Sequence, residues 1–229
     1  MVRDRNRQLA VHLEREAGFH IDRATVAWCF DLDLWGRCGL GEDEPSALAA
    51  LAREIGVAAW RFQVAERITG DERAFQRDRL PATAAGTGRT IAILRSVRPR
   101  TLRLVASATA AELDWRDPER QLPSWARWHS LGQMAWHLAD TKSRYYLPSL
   151  GERPLPRGGE LLAELDASHR HVLARIATLP PDRIVRDRGE EWTTVKLLRR
   201  LAWHERSELR VMRRLLSRAR ASIARVPEP

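Results

Sequence analysis

Cysteine is scarce in this chain. Cys29 and Cys38 are the only two, and they do not form a CxxC pair. A disulfide framework and a thiol-rich metal knuckle are therefore not expected, and two free thiols are. Neither cysteine has the sequence context that marks an activated nucleophile. Long apolar runs are absent as well: none approaches the ~20 residues needed to span a bilayer. The opening "MVRDRNRQLA" has no apolar h-region, so a cytoplasmic protein with no targeting segment and no membrane partner is expected. Lysine is nearly missing, with Lys142 and Lys196 the only two among 39 basic residues. The net charge of +9 raises the question of nucleic acid. An arginine bias this lopsided in an Ala-rich chain reads as genome composition as much as selection for phosphate contacts. Phosphate binding needs clustering on one face. Arg213, Arg214, Arg218 and Arg220 do lie close together, but positive charge near a helix C-terminus suits the dipole. Nucleic acid is not expected as a partner.

The chain falls into two parts with different hydrophobic periods. In "QLAVHLERE", Leu9, Val11 and Leu13 alternate with polar neighbours, the period of a half-buried strand. "ATVAWCFDLD" reads as a second strand. The glycine-punctuated "WGRCGLGEDE" reads as a loop, "PSALAALARE" as a helix ending near Gly56, and "WRFQVAERIT" as a third strand. The passage "FDLDLWGRCGLGEDEPSALAALARE" resembles the small HicB-like antitoxin domain, which carries a similar aspartate-containing turn, glycine turn and Ala-rich helix. The resemblance covers roughly the first third of the chain. It implies either an antitoxin-type binding domain or a small α+β appendage that packs or oligomerises.

"ITGDERAFQRDRLPATAAGTG" is polar and carries Pro81, Gly86 and Gly88, the composition of a linker. Beyond it the period is helical. Helices are expected over Thr90–Ala108, with Pro99 marking a kink or a start, and over His129–Leu147, Gly159–Leu179 and Trp192–Ala219. The organisation predicted is a strand–strand–helix–strand domain over 1–72, a linker over 73–88 and an antiparallel four-helix bundle over 89–222. The fold class is α+β.

The tripeptide Ala-Trp-His occurs twice, in "AWHLAD" and "AWHERSE", each inside an expected helix. On the last helix Leu197, Leu201, His204, Glu208, Val211 and Leu215 recur at spacings of four and three, a single seam facing the core. Arg199, Arg206, Arg210, Arg213 and Arg214 fall on the opposite side. A carboxylate in the middle of an apolar seam needs a partner, either a buried arginine or a metal ion. His204 and Glu208, at i and i+4, project side by side, which suits joint coordination of one cation. His137 stands at the edge of the apolar face of its own helix and can converge with them if the helices are neighbours. Asp140, one turn on, is placed to orient an imidazole. Trp136 and Trp203 are expected to fill helix–helix grooves. His169 and His171 do not share a face, and one or both are expected at the surface. His129 is expected at a helix start, and Glu190 and Glu191 near the positive end of the last helix.

"WHSLGQMAWHLADTKSRYYLPSL" and "EWTTVKLLRRLAWHERSELRVM" together resemble the DinB-like superfamily of metal-binding four-helix bundles. The resemblance runs from Thr90 to about Arg218. It implies a divalent metal ion held by His137, His204 and Glu208, with Glu208 where histidine is commoner in the family. Zinc, nickel, manganese and iron all accept such a donor set. Where activity is known in such bundles, the resemblance implies thiol transfer in detoxification or stress response. Its partners would be a small-molecule thiol and an electrophile, with homodimerisation an open expectation. The alternative is a non-catalytic HicB-like regulatory protein with a structural bundle.

Overall fold

The computed structural model describes residues 8–19 and 21–225; residues 1–7 of the expected first domain lie outside them. Strands β1 (Leu9–Ala17), β2 (Ala24–Cys29), β3 (Cys38–Gly41) and β4 (Phe62–Thr69) form a mixed sheet in the order β3-β2-β1-β4. β1 pairs antiparallel with β2 and parallel with β4, and β2 pairs antiparallel with β3. Helix α1 (Glu44–Ile55) makes the crossover between β3 and β4. Asp43 and Ser46 close a capping box at its start, and Gly56 ends it in the left-handed conformation.

β3 corrects the loop expected over "WGRCGLGEDE". The glycines that read as punctuation serve close packing instead. A Cβ on Gly39 would lie 2.2 Å from the Ala47 carbonyl oxygen, so only glycine lets this strand lie against α1. Alternation along β1 places Val11 and Leu13 towards α1, with Leu51 and Ile55. The opposite face was expected to be polar and solvated, yet His12 and Glu14 on it are buried.

The chain continues through helices α2 (Ala84–Ala106), α3 (Ala110–Asp114), α4 (Leu131–Asp140), α5 (Leu147–Ser149), α6 (Leu161–Ile176) and α7 (Thr194–Ile223). A π-helical turn, Thr141–Tyr146, joins α4 to α5. α2 packs on α6 and α7, and α4 packs on α6 and α7. The apolar interior is shared by all four, with Leu94, Leu138, Val172 and Leu201 fully buried. α2 starts earlier than expected because the Thr83 hydroxyl accepts from the Gly86 amide, and it continues without a break past Pro99. A hairpin, β5 (Ile184–Asp187) with β6 (Glu190–Thr193), occupies residues expected partly as the start of the last helix. Thr193 caps α7 by accepting from the Lys196 amide. Among the described residues no helix is long and apolar enough to cross a membrane.

The second face of the sheet lies on α7. Phe19 and Trp28 meet Trp203, with ring centroids 4.7 and 6.0 Å away. Beside them is a buried ionic cluster. Glu14 accepts from Trp28 Nε1 at 2.7 Å, Arg199 Nη2 at 3.0 Å and Arg200 Nη2 at 3.1 Å. Asp78 accepts from Arg199 Nη2 at 2.7 Å. Lys196 donates to the carbonyls of Asp71, Arg73 and Glu191 at 2.7, 2.7 and 2.9 Å. Arg199 is therefore not on a solvated face: it is 2 % exposed, because the sheet covers that side of the helix. The stretch 73–88, read as a linker, holds the buried Phe75 and Asp78 and the first turn of α2. At Gly36 the chain touches α7 so closely that a Cβ would lie 2.6 Å from the Ala202 Cβ.

Candidate metal centre

Ser130 caps α4 in a box with Gln133, which fixes the start of the helix and hence the direction of His137 one turn from its end. The Trp128 ring stacks on His137 with centroids 3.5 Å apart and an interplanar angle of 16°. Thr141 Oγ1 lies 3.1 Å from His137 Nδ1. These contacts aim His137 Nε2 at α7, where His204 Nε2 is 3.2 Å away. Glu208, one turn beyond, places Oε1 3.7 Å from His204 Nε2. One ligand atom from each of His137, His204 and Glu208 can be chosen so that all lie within 4.8 Å of one another.

The donor set fits a divalent cation. The tautomer that donates Nδ1–H to the Thr141 hydroxyl leaves the lone pair on His137 Nε2, as metal ligation requires. Two ring nitrogens 3.2 Å apart need a proton or a cation between them. Glu208 is 3 % exposed, and its buried Oε2 has no hydrogen-bond partner. Burial raises its carboxyl pKa to about 8, against a weaker opposing pull from Arg120. A buried carboxylate in that position is costly to ionise unless a cation compensates it. Among the described residues no arginine forms an ion pair with Glu208; Arg120 acts on it through space.

Asp140, expected to orient an imidazole, is engaged by arginines. It pairs with Arg144 at 2.7 Å and lies 3.6 Å from Arg157, while Thr141, at i+4 from His137, stands at the ring nitrogen. Glu190 and Glu191 are strand residues rather than helix-dipole partners. Glu190 accepts from Trp192 Nε1 at 2.6 Å and Glu191 pairs with Arg79 at 2.7 Å. Trp203 packs against the sheet, and Trp136 lies under the Arg157 guanidinium. His169 is half-buried, and its pKa is lowered to about 4 by burial and then by Arg98 and Lys142. His129 directly precedes the α4 cap, its amide donating to Gln133. Cys29 and Cys38 are buried and form no disulfide; burial raises the Cys38 thiol pKa, so it is not an activated nucleophile.

The triad opens into a cleft of about 1270 Å³. One wall is α7; another is the stretch before α4, with Trp125 and Trp128; the β1–β2 connection contributes Phe19 and β3 contributes Leu40. Sequence reasoning left Trp128, Arg120 and Phe19 out of the site. The available signal was "SWARWHS", two tryptophans in a polar segment beside the His137 helix.

Residues 93–212, slightly more than half of the chain, match the family model of the DinB superfamily. The chain belongs to the DinB superfamily. No curated protein and no solved structure matches it. The DinB span holds His137, His204 and Glu208 and leaves out the sheet, so the wall carrying Phe19 and Leu40 is an addition to the family part of this chain.

Proposed function

We propose that this DinB-superfamily protein holds one divalent metal ion on His137, His204 and Glu208, within an antiparallel four-helix bundle. The observation that carries this reading is the facing pair of ring nitrogens beside a buried carboxylate oxygen that has no hydrogen-bond partner. Three protein donors leave room for an exogenous ligand, and the cleft gives that ligand access. The reaction we infer is transfer of a small-molecule thiol to an electrophile. A divalent ion bound there would lower the pKa of a coordinating thiol. The chain's own contribution is orientation and exclusion of water. Trp128 and Thr141 hold His137 in place, and Phe19, Trp125 and Trp203 give the cleft apolar walls. We read the sheet over Leu9–Thr69 as HicB-like in its crossover helix and glycine turn, and as a wall of this cleft.

The reaction is testable with a simple pair. With 2-mercaptoethanol and chlorodinitrobenzene, sulfur forms a bond to the ring carbon, the carbon–chlorine bond breaks, chloride leaves with the pair and the thiol proton goes to water. Zinc- or nickel-loaded protein should accelerate this over the same protein after chelation, and His137→Ala should remove the acceleration. Equal rates in all three would contradict thiol transfer.

A further inference from the structure

One end of the cleft is built for an anion. Along α7 the residues facing it are His204, Ser207, Glu208, Val211, Arg214 and Arg218. Positions 204, 207, 211, 214 and 218 follow one another at spacings of three and four, with Glu208 beside them, and form one stripe, so Arg214 lies on the cleft side rather than opposite the seam as its spacing suggested. Arg213 flanks the stripe, and Arg120 faces it from the stretch before α4. The cleft's other arginines are neutralised. Arg200 pairs with Glu14, Arg210 with Glu54, and Arg218 with Asp117 and Glu119. Among the described residues Arg120, Arg213 and Arg214 form no ion pair. Arg120 is half-buried, its Nη2 lies 3.1 Å from the Met134 sulfur, and its buried Nη1 has no hydrogen-bond partner. Arg120 feels the charges of Glu208 and Asp117 but is paired with neither; three guanidiniums outside any ion pair around one cavity end, one of them partly desolvated, form a receptor for a carboxylate or phosphate.

We propose that Arg120, Arg213 and Arg214 form an anion subsite, and that the ligand is an elongated acid whose head reaches the triad. Arg214 lies six positions beyond Glu208, about 9 Å further along the helix axis at 1.5 Å rise per residue, which sets the approximate span from the donor atoms to the acid group. Trp125, 46 % exposed, lines the same cleft and offers an apolar surface for the connecting chain. The position of the ligand's head rests on the metal reading. The arginine subsite does not.

The probes are ω-mercaptooctanoate, whose extended chain spans about that length, and ω-mercaptooctanol, which has a neutral end. Each is titrated calorimetrically into zinc-loaded and into chelated protein. The acid should bind roughly ten- to a hundredfold tighter than the alcohol, the worth of one charge-assisted pair. The Arg213→Gln/Arg214→Gln double variant lies on an exposed helix surface and should fold normally, and it should remove most of that preference. Acid and alcohol binding equally, or a preference that survives the double variant, would overturn the subsite. If chelation leaves binding of both thiols unchanged, the metal reading fails, while the acid-over-alcohol ratio still reports on the arginines. Competition separates the two anions. Inorganic phosphate displacing the acid at lower concentration than acetate assigns a phosphate, the reverse assigns a carboxylate, and displacement by neither counts against the subsite.

Discussion

Glu14→Ala should destabilise the whole molecule, although the residue lies far from the triad in sequence. Glu14 is fully buried on β1 and is shared by Trp28, Arg199 and Arg200. Removing it leaves Arg199 with Asp78, but leaves Arg200 without a carboxylate partner among the described residues. Breaking a buried ion pair by deleting one member costs about 3–5 kcal/mol. For a chain of this size each kcal/mol moves the melting temperature by about 2–4 °C, so a fall of roughly 6–20 °C is expected. Glu14 also carries a pH signature. Burial works to raise its carboxyl pKa, but Arg200, Arg199 and Lys196, with the Trp28 hydrogen bond, hold it below the usual range. A depressed carboxyl pKa contributes stability that is present above the unfolded value and lost as pH falls through the folded one. Thermal melts from pH 7 down into the acid range should therefore show wild type losing stability faster than Glu14→Ala. A variant melting within about 2 °C of wild type, or parallel acid limbs, would refute the claim that this cluster fastens the sheet to α7.

Glu205 is buried between Arg98, at 3.0 Å, and Lys142, and Glu205→Gln should cost about 3–5 kcal/mol in urea unfolding by leaving two buried cations against no carboxylate. Trp128→Ala removes the ring stacked on His137 and should weaken zinc binding roughly 10- to 100-fold, as loss of an orienting partner does, with little change in far-ultraviolet circular dichroism. Gly36→Ala, at a positive φ of 70° and in contact with Ala202, should lower stability measurably, whereas Gly151→Ala, also at positive φ but in open space, should cost less. A fragment beginning at Thr83 exposes Trp203 and removes Glu14 and Asp78 from Arg199. We expect it to be poorly soluble, and a well-folded, cooperatively melting fragment would show that the helical region stands without the sheet.

The juxtaposition of His204 and Glu208 was legible because helix geometry fixes what lies at i and i+4, whatever surrounds it. The apolar stripe placed His137 only at the edge of its own helix face; its position opposite α7 was implied by the resemblance to the DinB-like bundles. The other face of α7 was not legible. Arginine is by default an exposed residue, and nothing local says that a sheet over a hundred residues away covers Arg199 and Arg200 with Glu14. β3 was missed for a related reason: Gly39 signals a loop locally, while its cause here is the close approach of α1. The polar composition of 73–88 hid Asp78, whose charge is a tertiary contact rather than a solubilising one. Trp128 lies in an irregular segment where no periodicity assigns a direction, and a threonine such as Thr141 carries no residue-type signal that it stands at an imidazole.

Elemental analysis asks directly whether His137, His204 and Glu208 hold one metal ion together. Protein purified without an affinity tag is measured as isolated and after zinc loading and gel filtration, beside His137→Ala, His204→Ala, Glu208→Ala and Glu208→His. About one equivalent is expected in wild type, with loss in each alanine variant and retention in Glu208→His, because imidazole replaces oxygen at the same helical spacing. Near-zero metal in every variant and in wild type, or metal unaffected by any of the alanines, would contradict a shared site.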